Sequence, residues 1–388
     1  MKLAIPIDHL APGRGGLERY VAETSAALAR RGHEVHVPCV SATSVPDGVR
    51  VHPLPIPQGP RSLRRFARAC ESWIERADLD VSLGVGRSLG SEIVQAHGGA
   101  HRSSREALRR ADPPSLRSVV RRFGRALRWK DRFLERLERE QILHPRVRAV
   151  AVLSEIGRRQ ILEVYPEVER KIRVLPIGID LGRFQTGHRA RSRTQIRRRW
   201  SIPDDRSIAV FVGHHFRLKG LWPALEAIAR IREDRRPHLL VCGRSTPPRS
   251  TVERLGLGEF VTFAGAVDGI EPVLLGSDLL LQPTFYDPCS HVTLEAWAAG
   301  LPVVTTPWNG ASELGRGSPA VSIVDDPWDL DGLGRGIMEA LDGERWKERS
   351  AAAREIAESH SLERHIGELE DLLSEAGAEV AREGARAS

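Results

Sequence analysis

Two carboxylates eight residues apart, Asp287 and Glu295, raise the question of chemistry in this chain. They lie in YDPCSHVTLEAWAAGLPVVTT, residues 286–306. LLLQPT, just before it, ends a strand, and YDP forms the loop at the carboxyl edge of that strand. Ser290 takes the N-cap position of a helix, Gly300 stops it, and the uncharged LPVVTT has the composition of a buried parallel strand. In that frame Asp287 hangs from the loop and Glu295 lies in the second turn of the helix. Backbone N–H groups near Val292 and Thr293 then form an anion site, helped by the helix dipole. A loop carboxylate, a phosphate cradle and a helical carboxylate suit a diphosphate flanked by hydroxyl-bearing groups, as in a nucleotide sugar.

Two further stretches supply what such a ligand needs. In VFVGHHFRLKG a strand ends at Gly213, and Arg217 and Lys219 follow just before a helix. Two cations at that carboxyl edge can neutralise a leaving diphosphate, the electrostatic help that phosphate-leaving chemistry requires. In PGRGGLER, Gly15 and Gly16 allow close backbone approach and precede a helix whose free N–H groups point the same way.

The elements that must position these groups follow a β/α rhythm. KLAIPI reads as a strand, Leu17 to Arg30 as a helix with apolar spacing at Leu17, Val21, Ala22, Ser25 and Leu28, and HEVHV as the next strand. DVSLGVG, AVAVLS and IRVLPIGID continue the first half. A second series, IAVFVG, HLLVCG, VTFAG, LLLQPT and LPVVTT, alternates with helices at about Leu221–Glu233, Thr251–Leu255, Pro272–Gly276 and Ser290–Ala299. Ile177 to Gly187 reads as the linker, and the Arg-rich stretch to Trp200 offers no strand. The expected fold is α/β, with two doubly wound Rossmann-like domains facing across a cleft, the ligand beyond the carboxyl ends of the strands.

Length and composition agree with that plan. At 388 residues the chain exceeds one ordinary core, and its 41% hydrophobic and 28% charged residues suit a globular enzyme. Cys39, Cys70, Cys242 and Cys289 are scattered without CxxC spacing, which favours a reducing cytoplasm over a disulfide framework. Asp8 interrupts the apolar start, and no stretch reaches the roughly 18 apolar residues of a membrane span. The net charge of +7 is concentrated: Arg102 to Arg148 holds 15 Arg/Lys against 6 Asp/Glu. Within it Leu116, Val119, Val120, Phe123, Leu127, Leu134 and Leu137 form an amphipathic helical stripe. Such a patch suits an acidic membrane surface or another anionic partner.

These pieces, in this order, resemble the retaining glycosyltransferases of family 4, which have the GT-B fold. The resemblance runs from Lys2 to about Leu373 and is most specific in DPCSHVTLEAWAAGLPVVTTPWNGASEL, which looks like the subgroup of lipopolysaccharide-core glucosyltransferases. The family's E-x7-E motif lands on Asp287 and Glu295, with a shorter acid in first place. The resemblance implies that Glu295 holds the ribose hydroxyls, that Arg217 and Lys219 bind the diphosphate, and that Asp287 contacts the donor sugar. It places Val267, in Gly265-Ala266-Val267, beside the base, and Gly15 and Gly16 in the family's glycine loop. Ser290, His291 and Val292 join the donor-binding residues, His291 replacing a small or amide residue. In IVQAHGGAH the family's histidine facing donor sugar or acceptor falls on His97 or His101, with His97 favoured as catalytic.

The expected domains are 1–180 on the acceptor side, 181–355 for the nucleotide sugar, a helix at 356–375 crossing back to the first domain, and a disordered tail at 376–388. The expected partners are a nucleotide sugar, such as UDP-glucose, and a glycan or lipid-linked acceptor. No metal or cofactor is needed if Arg217 and Lys219 neutralise the diphosphate. The expected place is the cytoplasm, peripheral at the inner face of the membrane.

Rival readings explain less. GVGRSLG (84–90) has the wrong final spacing for a dinucleotide site, and the DLD triplets at 78–80 and 329–331 suit capping better than metal binding. A two-carboxylate glycosidase needs neither a phosphate cradle nor a cationic pair. A basic nucleic-acid-binding protein lacks a recognised module, with aromatic residues only 5% of the chain, so no nucleic acid is expected. The remaining alternative is a basic nucleic-acid- or membrane-binding protein on a non-catalytic GT-B scaffold.

Overall fold

The computed structural model describes the chain except residues 58, 60, 113–124 and 388, and of residues 125–129, 386 and 387 it describes the backbone alone. The chain divides into two units. One comprises Met1–Ser103, Phe123–Pro176 and Glu363–Ser388, the other Ser104–Arg122 and Ile177–Leu362.

The first unit is built on an eight-stranded parallel sheet. Its first strand is broken in two, β1 (Lys2–Ala4) and β2 (Ile7–Leu10), around Pro6, which has no N–H to give. Both pieces pair in one register with β3 (Glu34–Ala42): Lys2 lies opposite Glu34 and Leu10 opposite Ala42. On the other edge of β3 lies β4 (Val49–Pro53). Beyond β1 follow β5 (Val81–Val85), β6 (Ile93–Gln95), β7 (Ala149–Val152) and β8 (Ile172–Val174). The uncharged, fully buried strands β5, β6 and β7 form the middle of the sheet, as strands covered on both faces require.

Helices cover this sheet. After β2 the chain enters α1 (Gly16–Arg30), which buries Tyr20, Val21, Ser25 and Leu28 on one stripe and turns back at Gly32, whose φ of 87° favours glycine. α2 (Ser62–Arg76) follows β4. The helix α3 (His101–Arg110) begins in the first unit, but its residues from Ser104 onward belong to the second. α4 (Arg125–Ile142) buries Leu134 and Leu137, two positions of the expected stripe; Leu116, Val119, Val120 and Phe123, and the side chain of Leu127, lie outside what is described. α5 (Glu155–Val164) is capped by the Ser154 hydroxyl, which accepts from the Gly157 amide at 3.1 Å.

The second unit has a six-stranded parallel sheet. After α6 (Arg189–Trp200) come β9 (Ile208–Val212), α7 (Leu221–Arg230), β10 (His238–Cys242), α8 (Arg249–Arg254) and β11 (Val261–Gly265). Then follow α9 (Glu271–Gly276), β12 (Leu279–Gln282), α10 (His291–Ala298), β13 (Val303–Thr305), β14 (Val321–Ile323), α11 (Leu330–Ala340) and α12 (Trp346–Ser359). The spatial order is β11-β10-β9-β12-β13-β14. Strand order therefore reverses between β9 and β12, the switch point where open sheets of this kind take ligands.

One sequence expectation is corrected. The tail expected to be disordered is the end of a helix, α13 (Leu362–Ala387). Ile366, Leu369, Leu373 and Ala376 bury on the first unit, and the Ala-, Glu- and Arg-rich end extends a helix already docked. Glu383 also pairs there with Arg148. The Arg-rich stretch expected to offer no strand contains α6, which buries only Ser192, Ile196 and Arg197. The units part after Pro176 and after Leu362, against expected boundaries after 180 and 355.

Candidate functional site

The switch point carries the residues singled out by type and spacing. The chain leaves β9 at Gly213, whose amide donates to Cys242 O at 2.9 Å, and crosses residues 214–219 to Gly220. Gly220 has a φ of 84°, and a Cβ there would fall 1.9 Å from Pro283 O. A side chain would push the β9 loop off the β12 loop, so glycine is required. The two loops are further joined by Leu218 O, which accepts from the Phe285 amide at 2.8 Å and from the Thr284 hydroxyl at 3.0 Å. Lys219, on one loop, is thereby held beside Asp287 on the other, with Arg217 two residues before it.

Asp287 is anchored through its backbone. Its amide donates to Trp308 O at 2.9 Å and its carbonyl accepts from Gly310 N at 2.8 Å, which leaves the carboxylate free to pair with Lys219. Between those two anchors lies Asn309, fully buried. Its side-chain nitrogen donates to the Thr293 hydroxyl at 2.9 Å and the Thr305 hydroxyl at 3.1 Å, while its oxygen accepts from the Ala311 amide at 3.2 Å. One side chain thus ties together the start of α10, the end of β13 and the turn that positions Asp287.

Ser290 occupies the N-cap of α10, as its place in the sequence suggests, but its hydroxyl does not cap. The Thr293 amide bonds to Ser290 O at 3.1 Å instead, and the hydroxyl of Ser290, a residue 2% exposed, has no partner among the described residues. His291 and Val292 are half-buried in the first turn. Beside them the Cys289 thiol is pushed well up by burial, with the Asp287 charge adding to it, so it stays protonated and is not a nucleophile.

Glu295 points to different company. It is buried, and Arg183 Nη2 lies 3.5 Å from its Oε1 and 2.6 Å from Glu271 Oε1. Glu271 opens α9, at the end of the turn that contains Val267, itself half-buried. The second acid and the expected base-side turn are therefore linked through Arg183, while the first acid has Lys219. Arg217 pairs with Asp112, and burial lowers its pKa from the ordinary value. Sequence reasoning missed Arg183, Asn309 and Asp112. Arg183 sits in a stretch read as a linker and Asp112 before residues outside the description; Asn309 lies within the most specific stretch, but its role needs the fold.

The other predicted residues lie in the first unit. Gly15 is the N-cap of α1, and Gly16 is its first residue, exposed. His97 follows β6, with its ring 5.3 Å from the Tyr20 ring of α1. The Tyr20 hydroxyl accepts from Gln95 Nε2 at 2.9 Å and donates to His365 Nε2 at 3.0 Å, and His365 Nδ1 donates to Pro176 O at 2.8 Å. Burial lowers the His365 pKa to about 4 and raises that of Tyr20 to about 12, so both are neutral near pH 7. The His101 amide donates to Glu138 at 2.9 Å and its ring lies 3.4 Å from Asp131, both on α4.

The decoy acids have structural partners. Asp329 caps α11 by accepting from the Gly332 amide at 2.9 Å, and Asp78 and Asp80 both bind Lys2. Among the described residues no helix is long and apolar enough to cross a membrane.

Comparison with known proteins matches this architecture. Residues 14–183 fit the family model described as Glycosyltransferase Family 4, and residues 206–342 that described as Glycosyl transferases group 1. A probable transglycosylase of Burkholderia thailandensis is 31% identical over 94% of this chain and 95% of its own. The lipopolysaccharide glucosyltransferase WaaG of Escherichia coli is 24% identical over 84% of this chain and 86% of its own. A crystal structure of WaaG superimposes with a TM-score of 0.76, covering 96% of this chain and 99% of that one at 22% identity. An Anabaena protein, HepE, solved with UDP and glucose, superimposes with a TM-score of 0.70 at 15% identity, covering 96% of this chain and 99% of that one. With two parallel-sheet Rossmann-like units and this likeness along nearly its whole length, the chain belongs to glycosyltransferase family 4 and has the GT-B fold.

Proposed function

We propose that the chain transfers a hexose from a UDP-sugar such as UDP-glucose, with retention of anomeric configuration and without a metal, to a sugar hydroxyl of a glycan or glycolipid. The observation that carries this reading is the meeting of Arg217, Lys219, Asp287 and the start of α10 at the switch point of the second sheet. In the proposed reaction the acceptor hydroxyl attacks from the face that the diphosphate leaves, and a phosphate oxygen takes its proton. Arg217 and Lys219 stabilise the charge that develops on the diphosphate. Asp287 contacts the sugar, Glu295, oriented by Arg183, holds the ribose hydroxyls, and Val267 lies against the base. Gly15 and Gly16 serve the donor, and His97 and His101 the acceptor side, with His97 next to the chemistry.

A UDP-sugar at 100 times its dissociation constant should stabilise the protein by roughly 2.7 kcal/mol. A thermal-shift panel of UDP-, GDP-, ADP- and dTDP-sugars therefore tests the donor. No shift with any of them would remove the donor assignment. Proton NMR of the first-formed product tests the stereochemistry, and an inverted anomeric centre would end the proposed mechanism.

We further propose that Arg102–Arg148 brings the protein to an acidic membrane surface at the cytoplasmic face, on the strength of its charge alone. Part of that charge is already spent inside the fold, since Arg146 pairs with Glu92, Arg148 with Glu383 and Arg139 with Glu167. Sedimentation with vesicles rich in anionic lipid at low salt checks it; a protein left in the supernatant contradicts it.

A further inference from the structure

The second unit includes a segment that its β/α plan does not require. Residues from Ser104 to Asp112, the end of α3 and the turn after it, belong to this unit, and their contacts converge on the loops of the switch point. Ala107 and Ala111 are buried with Phe285 and Tyr286, and Leu218 and Trp328 pack against that cluster. The Arg110 guanidinium lies 3.9 Å from the centre of the Trp308 ring, and the Arg110 carbonyl accepts from Trp328 Nε1 at 3.2 Å. Leu218 lies between Arg217 and Lys219, Tyr286 precedes Asp287, and the Trp308 carbonyl holds the Asp287 amide. Docked on these three points, the segment ends with the Asp112 carboxylate on Arg217.

A carboxylate and a phosphate ask for the same thing from a guanidinium, namely parallel N–H donors and a positive charge. Both cations of the loop are thus held by carboxylates, Lys219 by Asp287 and Arg217 by Asp112. Asp112 comes from a segment outside the β/α plan of this unit, and nothing in the donor chemistry calls for a second acid there. A diphosphate, with at least two negative charges, would repel that carboxylate while taking its partner.

We propose that Asp112 is an internal competitor for the donor's diphosphate: it holds Arg217 until donor arrives, and its displacement sets donor affinity. This rests on the reading of Arg217 as a diphosphate-binding cation. The segment stays docked through Ala107, Ala111 and Arg110 while the carboxylate alone gives way, so the exchange is local.

Calorimetric titration of the full chain with inorganic diphosphate and with UDP tests it, on the wild type, Asp112→Asn, Asp112→Glu, Arg217→Ala and the double variant Asp112→Asn/Arg217→Ala. Asp112→Ser serves as a second neutral variant if Asp112→Asn is unstable. Removing the competing charge should tighten both ligands about threefold to tenfold, Asp112→Glu should stay near wild type, and the gain should vanish when Arg217 is absent. Unchanged or weaker binding by both neutral variants overturns the proposal, because Asp112 would then be neutral to, or supporting, the site. The same gain in the Arg217→Ala background also overturns it, since the effect would be one of net charge. Arg217→Ala binding both ligands as well as wild type would instead refute the diphosphate role of Arg217 itself.

Discussion

At the scale of single residues, three cations of the site are each engaged with carboxylates: Lys219 with Asp287, Arg217 with Asp112, and Arg183 with Glu271 and Glu295. On the proposed role of Lys219 in stabilising the leaving diphosphate, its loss should act on the chemical step, so Lys219→Ala is expected to lower kcat by about 100-fold or more, with little change in thermal stability. Steady-state kinetics with the donor found by the thermal-shift panel checks this; a change in KM alone would assign Lys219 to ground-state binding. Glu295→Ala should instead weaken donor binding, and it leaves Arg183 with Glu271. Asn309 is a contrasting case. Its amide serves three buried partners and touches no proposed ligand atom, so Asn309→Ala should cost about 2–3 kcal/mol of unfolding free energy by leaving them unmatched. Urea denaturation measures that cost, and a neutral result would mean that water replaces the amide.

At the scale of elements, the first unit depends on a helix from the far end of the chain. α13 contributes His365, whose two ring nitrogens bridge Pro176 and Tyr20. That geometry needs the neutral ring, and burial lowers its pKa from 6.5 to about 4. The unfolded chain therefore binds a proton that the folded one refuses between those values, and stability falls as pH drops from about 6.5 toward 4. A shift of this size amounts to roughly 3 kcal/mol at the acid end. His365→Gln should lower stability at pH 7.5 and shrink the loss between pH 7.5 and 5; chemical denaturation at the two values tests it, and an unchanged loss would locate the acid sensitivity elsewhere, with buried His238 next in line.

The same elements show what a sequence can carry. The helix expected at Ser290–Ala299 is observed at His291–Ala298, because an N-cap residue, a buried apolar run and a glycine stop are local signals. β9, β10 and β12 were legible as uncharged runs ending in glycine or polar loops. α6 was not legible, since a helix that buries so few side chains has no apolar stripe to detect. The allegiance of Ser104–Asp112 was equally hidden: spacing can show that a helix has a buried face, not which sheet covers it. Nor could spacing pair Arg183 with Glu295, which are brought together only by the turns of the fold.

At the scale of the whole molecule, the first unit is discontinuous in sequence, and this has a consequence for folding. Residues 1–176 hold all eight strands of its sheet, but the buried faces of Ile366, Leu369 and Leu373 belong to α13. Without that helix the apolar surface beneath it would meet water, and Tyr20 would lose its acceptor. Each large aliphatic side chain withdrawn from such a core costs about 2–5 kcal/mol, against a total domain stability of about 5–15 kcal/mol. A fragment of residues 1–176 should therefore unfold without a cooperative transition, although its sheet is complete. Adding a peptide of residues 362–387 in excess should restore cooperativity, with a midpoint that rises with peptide concentration as mass action requires. The same peptide with Leu369→Ala and Leu373→Ala should not. Truncation after Ala378 should leave the full-length protein nearly as stable as before, because the end of α13 is exposed. A fragment that unfolds cooperatively alone would make α13 an appendage; failure with the peptide as well would mean that the second unit is needed to complete the first.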